Sequence, residues 1–346
     1  MSDTQLPSLH EALADASGAR RLLLGNGFSI AWNSDIFSYG SLYDRADFSQ
    51  VSPSAAQAFE ALGTRDFETV MRRLNEAALL LEIYSPNETG LIQTLRADAD
   101  GLRDLLVQTI ADNHPARPNE VSAEQYAACR AFLAPFETVY TLNYDLLLYW
   151  TIMQDAEGLP DAPKNDGFDY DPDEPDAPWV TWDSQASSQR QKLFYVHGAL
   201  HVYDAGASVQ KYTWSRSGDA LIDQIRSALE DRKFPLFVAE DSAANKMNKI
   251  IHHGYLHKAI RSLESQNGSL VTFGFGFGDN DGHVLRAIAK STIRKILVGL
   301  YGDPTSKENL AIQASAKALQ ADRPNWRSRS DLEVTFFDAA SARVWG

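Results

Sequence analysis

The sequence contains a single cysteine, Cys129, and this limits the sites that the chain can hold. One thiol cannot form a disulfide within the chain, and a zinc site built from several cysteines is excluded as well. Long apolar runs are also absent, so no segment is predicted to span a bilayer. Residues 1–5 lack the charged and apolar regions of a signal peptide, and we therefore expect a soluble, cytoplasmic protein.

Positive charge is scarce as well. The chain has 32 lysines and arginines against 46 aspartates and glutamates, which gives a formal net charge of -14. Such a surface repels phosphate backbones, so the composition disfavours general nucleic-acid binding. Hydrophobic residues make up 44% of the 346 residues, enough for a sizeable core, which argues against disorder of the whole chain.

Strand-like and helix-like segments alternate along most of the chain. Strands are predicted at 20–25, 137–142, 193–196, 235–239, 269–275, 295–301 and 332–337. Helical patterns lie at 8–18, 146–153, 218–231, 254–265, 282–292 and 306–321. This alternation predicts an α/β fold with a doubly wound, mostly parallel sheet.

A helical block interrupts the alternation after the first strand. Within residues 54–134, apolar side chains such as Phe67 and Val70 recur at helical spacing. We interpret the block as a helical module inserted into one α/β domain. The two parts of that domain are then residues 1–53 and 135–346.

Two other stretches do not fit the alternation. Residues 30–51 are rich in aromatic side chains without a clear period, which predicts an irregular lid or short helices. Residues 155–191 interleave acidic residues with prolines and are predicted to form a long loop. That loop is either a solvated excursion or a functional, mobile segment, and it lacks the spacing of an EF-hand calcium site.

The first predicted strand ends in a turn of small residues. The turn consists of Gly25, Asn26, Gly27, Phe28 and Ser29. A strand that ends in such a turn is how α/β proteins cradle the phosphates of a nucleotide. Ile30 occupies the place of the third glycine or alanine of a dinucleotide fingerprint, so a tight turn without a ligand stays an alternative.

Two more strands end in polar side chains, at the edge where open α/β sheets bind ligands. Asn143 is suited to orienting a ribose hydroxyl or a water, and Asp145 is the predicted N-cap of the next helix. His197 precedes a glycine and has the side chain best suited to general-base chemistry near neutral pH. A purely structural role for all three residues remains open.

A fourth turn, rich in glycine, follows the strand at 269–275. Its backbone at Gly274 could approach a nucleotide, and Asp279 or Asp281 could accept bonds from ribose hydroxyls or cap the following helix. The histidines at 252–257 lack the glutamate of a His-Glu-x-x-His zinc site, so we predict no metal.

The order of these turns is more informative than any one of them. Gly-Asn-Gly-Phe-Ser, Thr-Leu-Asn-Tyr-Asp, Val-His-Gly and Gly-Phe-Gly-Phe-Gly-Asp-Asn-Asp follow one another along the chain. This series resembles the sirtuin-like superfamily, especially the bacterial sirtuin-like NAD hydrolases of antiphage defence. It is also similar to an uncharacterised bacterial family that ends in Leu-Tyr-Gly-Asp-Pro and Ala-Arg-Val-Trp-Gly.

The resemblance implies a Rossmann-like NAD-binding domain with an inserted helical module. In such a site Gly25, Gly27 and Ser29 would line the cradle for the phosphates of NAD. Gly274 and the turn at 279–281 would close on the cofactor near its adenosine half.

The resemblance also implies the residues that carry the chemistry. Asn143 would hold the ribose of the nicotinamide half and a water, Asp145 would support that loop, and His197 would be the catalytic histidine. Deacylases of the sirtuin group carry a four-cysteine zinc module, which this chain cannot form. NAD is therefore expected to be the substrate itself.

Three functions follow from this reading. The first is a regulated NAD hydrolase that releases nicotinamide and ADP-ribose in antiphage defence, controlled by homo-oligomerisation or by a partner such as a ring ATPase. The alternative is a non-catalytic sensor that binds NAD or ADP-ribose and signals to a partner. ADP-ribosyl transfer to a macromolecule shares the chemistry but needs an acceptor pocket.

Overall fold

A six-stranded parallel sheet organises the fold, which we describe from a computed structural model for residues 6–154, 158–183, 191–239, 242–325 and 331–346. The strands in these ranges are β1 (Arg20–Leu24), β2 (Thr138–Thr141), β3 (Phe168–Asp169), β4 (Trp179–Trp182), β5 (Leu193–Tyr195), β6 (Val202–Asp204), β7 (Val209–Tyr212), β8 (Asn267–Phe273), β9 (Thr292–Leu300) and β10 (Glu333–Asp338).

The parallel sheet has the strand order β10-β9-β8-β1-β2-β5, and every neighbouring pair in it is parallel. The chain first builds from β1 through β2 to β5, then returns to the other side of β1 and builds from β8 to β10. This is the 3-2-1-4-5-6 order of the doubly wound Rossmann fold. The predicted fold class is confirmed.

The central strand explains the apolar run near the N-terminus. Leu22, Leu23 and Leu24 of β1 are fully buried between β2 and β8. A parallel strand covered on both faces needs apolar side chains at successive positions rather than at alternate ones. The leucine run therefore fixes β1 in the middle of the sheet.

Helices connect the strands and flank the sheet. They are α1 (Leu9–Ala14), α2 (Gly27–Trp32), α3 (Ser34–Phe37), α4 (Tyr39–Arg45), α5 (Pro53–Leu62), α6 (Phe67–Tyr84), α7 (Thr89–Asn113), α8 (Ala123–Leu133), α9 (Leu147–Met153), α10 (Trp214–Ser217), α11 (Leu221–Glu230), α12 (Ala243–His252), α13 (Gly254–Glu264), α14 (Gly282–Lys290) and α15 (Lys307–Asp322). The helices α5 to α8 confirm the helical character of 54–134, whereas its status as a separate module stays a prediction.

A second, antiparallel sheet lies between residues 168 and 212, with the order β3-β4-β7-β6. The prediction of a loop over 155–191 is therefore wrong for β3 and β4; residues 155–157 and 184–190 lie outside the described ranges. Asp166, just before β3, is buried and its Oδ2 lies 2.5 Å from Lys211 Nζ on β7. This part of the acidic stretch is thus packed rather than solvated.

The strand predicted at 235–239 is also wrong. Only Phe237 forms a bridge, to Gly198, and the neighbouring bonds run from Val238 N to His197 O (2.8 Å) and from Ala199 N to Leu236 O (3.0 Å). Gly198 has a φ of +81°, so the partner backbone turns away before a ladder can extend. The helix α12 and the strands β6 and β7 are elements that the sequence pattern does not predict. No helix among the described residues is long and apolar enough to cross a bilayer.

Candidate active site

A cavity of about 450 Å³ opens at the carboxyl ends of β1, β2 and β8, where the strand order reverses. Open α/β sheets bind their ligands at this point, and the volume is typical of small-molecule sites. Eight of the predicted site residues line it, namely Gly25, Asn26, Gly27, Asn143, Asp145, His197, Gly274 and Asp281. The fold thus brings together turns that are up to 256 positions apart in the chain.

The two glycine turns press their backbones together. Gly25 N donates to Phe273 O and Gly27 N donates to Gly274 O, each at 3.0 Å. A Cβ on Gly25 would lie 2.4 Å from Gly274 O, and one on Gly27 would lie 2.5 Å from Gly274 Cα. Gly274 also has a φ of +65°. These three glycines are therefore required to join β1 to β8, in addition to lining the cavity.

Two further glycines of the same turn have open surroundings. Gly276 and Gly278 line the cavity, and within the described part of the chain no heavy atom beyond their chain neighbours lies within 4 Å of the position of an added Cβ. Phe277 between them is buried against Phe275, with ring centroids 4.7 Å apart and a φ of +53°. The ring anchors the turn, and the bare backbone on either side faces the cavity, where it can contact a bound molecule.

A buried network connects the turn after β1 to the turn after β2. Ser29 Oγ donates to Asp145 Oδ2 at 2.5 Å and accepts a bond from Asn143 Nδ2 at 2.9 Å. Asp145 Oδ1 accepts from Leu147 N at 2.9 Å, although α9 begins one residue later than predicted, with Leu146 at its N-cap. Burial raises the pKa of Asp145, while the bonds from Ser29 and Leu147 lower it. Asn143 is held in place by its amide nitrogen, and among the described residues its Oδ1 forms no hydrogen bond, so it can accept one from a ligand.

Sequence reasoning misses His114, which supports the same turn from the end of α7. Its Nε2 accepts from Leu146 N at 3.0 Å, and its Nδ1 lies 2.9 Å from Pro115 O. Burial lowers the pKa of His114 to about 4. The ring is therefore neutral near pH 7, with the tautomer that carries hydrogen on Nδ1. No sequence signal links it to a turn 32 residues away.

His197 is paired with a second histidine that the sequence pattern does not single out. The Nε2 atoms of His197 and His283, on α14, lie 2.8 Å apart, and His197 Nε2 lies 3.9 Å from Asp281 Oδ1. Burial, together with the charges of Lys246 and His283, holds the pKa of His197 well below its usual range. Burial and Lys246 lower the pKa of His283 to about 3. Both rings are therefore neutral at physiological pH.

A buried cation forms another part of the wall. Lys246 on α12 is 1% exposed, and its Nζ lies 2.8 Å from Glu68 Oε2 and 3.5 Å from Asp281 Oδ1. Burial lowers the pKa of Lys246, but Glu68 and Asp281 outweigh that effect and raise it. The ammonium is thus retained beside Glu68 and Asp281, whereas burial raises the pKa of both acids, that of Glu68 to about 7. Neither Lys246 nor Glu68 belongs to a recognisable motif.

Three predicted site residues do not line the cavity within the described part of the chain. Phe28 is fully buried against Trp345, with ring centroids 5.0 Å apart. Ser29 acts through Asn143 and Asp145, and Asp279 lies exposed at the start of a 3₁₀ turn. Their predicted contacts with a cofactor stay predictions.

The position of Asp281 also bears on the expected orientation of a cofactor. The resemblance implies that the 279–281 turn lies near the adenosine half and that His197 acts at the nicotinamide half. Asp281 Oδ1 lies 3.9 Å from His197 Nε2, so Asp281 is a neighbour of the residue expected at the nicotinamide half, and both expectations stay predictions.

The side chains of His197, Asp281 and His283 have the donor types of a divalent-cation site. Two nitrogens bound to one tetrahedral zinc ion at 2.0–2.1 Å would be roughly 3.3 Å apart, which is longer than the observed 2.8 Å. The Lys246 ammonium, 3.5 Å from Asp281, would also repel a cation. The geometry fits a hydrogen-bonded histidine pair better than a metal site.

The cavity therefore combines an amide acceptor at Asn143, an imidazole at His197 and a carboxylate at Asp281 with a stretch of bare backbone. Such a set can orient sugar hydroxyls or a water, accept a proton and stabilise a developing positive charge.

The chain is similar to a solved structure and to a known protein family. A solved structure presented as "Structural Basis for the Mechanism and Regulation of Sir2 Enzymes" aligns with 91% of this chain and 96% of that chain, at 10% identity and a TM-score of 0.34. A search of the curated proteins gives no match. The protein family described as "Domain of unknown function (DUF4917)" matches residues 22–345. The chain belongs to this family.

Proposed function

We propose that the protein is an NAD hydrolase that cleaves the bond between nicotinamide and ribose, giving nicotinamide and ADP-ribose. The observation that carries the proposal is the meeting of Asn143 and His197 in one cavity with two glycine turns at the switch point of a Rossmann-like sheet. Dinucleotides bind at that point in this fold.

The pyrophosphate of NAD has a natural place at the open glycines. Gly276 and Gly278 present backbone without side chains to the cavity, so their peptide groups can approach a phosphate closely. The more crowded Gly25 and Gly27 form the wall behind it. The nicotinamide ribose would then lie toward Asn143 and His197.

The chemistry requires few groups. Nicotinamide leaves as a neutral molecule from a cationic ring, so no general acid is needed, and the ribose gains oxocarbenium character as in glycoside hydrolysis. Asn143 Oδ1 accepts from a ribose hydroxyl or from the attacking water, and neutral His197 accepts the proton of that water. The carboxylate of Asp281 lies where it can stabilise the positive charge.

A role in antiphage defence with control by a partner is part of the proposal and rests on the motif resemblance. The helical block 54–134 is our candidate for that control, because Phe67 and Glu68 of α6 and Leu106 and Ile110 of α7 line the cavity. A partner, a ring ATPase or a second copy that shifts these helices would alter the site directly. The acidic stretch 155–191 is a weaker candidate, since none of its described residues lines the cavity.

The proposal is tested by incubating the purified chain with NAD, alone and with candidate partners, and quantifying released nicotinamide by chromatography. Asn143→Ala and His197→Ala should each lower the rate by about 100-fold or more. The control is His257→Ala, which removes an exposed histidine outside the cavity. Equal rates in all variants would contradict the catalytic assignment. Tight NAD binding by calorimetry without turnover would favour the sensor.

A further inference from the structure

We propose that His283 is a positioning residue that shares a proton with His197, so that the two rings take up the proton of the attacking water as one unit. The inference rests on the proposed hydrolase function and deepens it. It starts from the direct contact between the rings, 2.8 Å from Nε2 to Nε2, with the ring planes inclined by 29° and the centroids 5.0 Å apart.

A contact of this length between two nitrogens requires one hydrogen between them. When that hydrogen is on His197 Nε2, His197 Nδ1 carries no hydrogen. Nδ1 can then accept a hydrogen bond or a proton from a molecule in the cavity. No other side chain fixes the tautomer of His283, because its Nδ1 is buried without a partner among the described residues. The hydrogen can therefore be carried by either ring.

Proton uptake makes the contact stronger. In the hydrolytic step the water oxygen bonds to C1′ of the ribose, and the electron pair of the glycosidic bond leaves with the nicotinamide nitrogen. One water proton passes to His197 Nδ1. The hydrogen bond to His283 then becomes charge-assisted, which favours the protonated pair over a lone buried imidazolium. The proton is later released to solvent as ADP-ribose departs.

The charged groups around the pair act in opposite senses. Asp281 Oδ1, 3.9 Å from His197 Nε2, stabilises the added charge, and Lys246 opposes it while bound to Glu68 and Asp281. Tyr144 also packs on His197, with ring centroids 6.4 Å apart, and its hydroxyl donates to Val238 O at 2.6 Å. Because burial lowers the pKa of both histidines, the pair is neutral at pH 7. Uptake of a proton therefore depends on the hydrogen bond between the rings and on the nearby Asp281.

The kinetic test uses His283→Ala and His283→Gln with His257→Ala as the control. His283→Ala should lower kcat by about 10-fold at unchanged KM and displace the acid limb of the pH–rate profile. Added imidazole should restore part of kcat in His283→Ala but not in His197→Ala, and His283→Gln should keep more activity because its amide can still accept the hydrogen. Wild-type rates and an unshifted profile in His283→Ala would overturn the inference.

A second measurement does not depend on turnover. Histidine-labelled ¹⁵N NMR of the unliganded chain should show one strongly deshielded ring proton that is lost in both His197→Ala and His283→Ala and kept in His257→Ala. Independent tautomers for the two rings would overturn the inference, as would stoichiometric binding of added zinc to the pair. Absence of nicotinamide release from the wild type would refute the hydrolase function. The NMR measurement would still decide whether His197 and His283 share a proton.

Discussion

At the scale of single residues, the structure separates glycines that join backbones from glycines that face a ligand. A Cβ on Gly25 would lie 2.4 Å from Gly274 O, whereas one on Gly276 would have no described heavy atom within 4 Å apart from its chain neighbours. We expect Gly25→Ala to lower the free energy of unfolding by about 1–3 kcal/mol, because backbone atoms must move apart. Gly276→Ala should change it by less than about 0.5 kcal/mol and yet weaken NAD binding. Urea unfolding and calorimetry measure the two effects.

The distinction between the two glycines is tested by comparing the stability and the NAD binding of the two variants. Gly276 is exposed and has no positive φ that would strain an alanine, so a loss of binding in its variant reports contact with the ligand. Equal loss of stability in both variants would contradict the distinction. Unchanged NAD binding in Gly276→Ala would remove the proposed contact with the pyrophosphate.

The sequence identifies the site residues that follow strands and misses those that come from helices. Asn143 and His197 can be identified from the sequence because each directly follows a predicted strand, and parallel strands end at one edge of the sheet. His283, Lys246 and Glu68 cannot be found in this way. Glu68 and Lys246 line the cavity from α6 and α12, and His283 contacts His197 from α14. The placement of these helices depends on tertiary packing rather than on local pattern.

At the scale of elements, a buried ion pair holds the small antiparallel sheet. Lys211 Nζ lies 2.5 Å from Asp166 Oδ2, and Lys211 also lies over the rings of Tyr149 and Phe168. Asp166→Asn leaves a buried ammonium without a counter-charge and should cost about 3–5 kcal/mol. Asp173→Asn, an exposed site in the same stretch, is the matched control. Chemical denaturation of the three proteins measures the difference.

The double variant Asp166→Leu with Lys211→Met completes that test. Replacing both charges by apolar groups removes the uncompensated ammonium, so we expect most of the lost stability to return. If Asp166→Asn is as stable as Asp173→Asn, the pair does not hold the sheet. These strands are not predictable from the sequence, because β3 has two residues and Asp166 lies 45 positions from Lys211.

At the scale of the whole molecule, segments near the start and the end of the described chain pack on the Rossmann-like sheet. Trp345 Nε1 donates to Phe28 O at 2.9 Å, directly behind the first glycine turn, and Ser8 forms a bridge with Asp338 at the end of β10. The alternation of strands and helices predicts the parallel sheet, since each buried strand has its own apolar run. It does not predict that the last residues stabilise the turn after the first strand.

The whole molecule also buries four histidines whose pKa values are lowered, in each case chiefly by burial. They are His114, His197, His201 and His283. Between pH 6.5 and their folded pKa values the unfolded chain binds more protons, so stability falls as the pH drops. For His114, with a pKa of about 4, this amounts to about 3 kcal/mol by pH 4. The acids whose pKa values burial raises work in the opposite direction; they are Asp145, Asp281 and Glu68, whose pKa is about 7. The four histidines outnumber them.

We therefore expect the urea midpoint to be steady above pH 7 and to fall steeply between pH 6.5 and 5. His201 allows the contribution of one buried histidine to be measured by itself. Neither of its ring nitrogens has a hydrogen-bond partner among the described residues, and its aromatic contacts there are with Tyr149 and Tyr195. His201→Leu removes one buried titrating group and should make the fall shallower, whereas the exposed His257→Leu should leave it unchanged. A histidine that is buried in its neutral form binds a proton when the chain unfolds, so its removal must reduce the dependence of stability on pH. If the urea midpoint falls with pH as steeply in His201→Leu as in the wild type, the acid sensitivity does not come from His201.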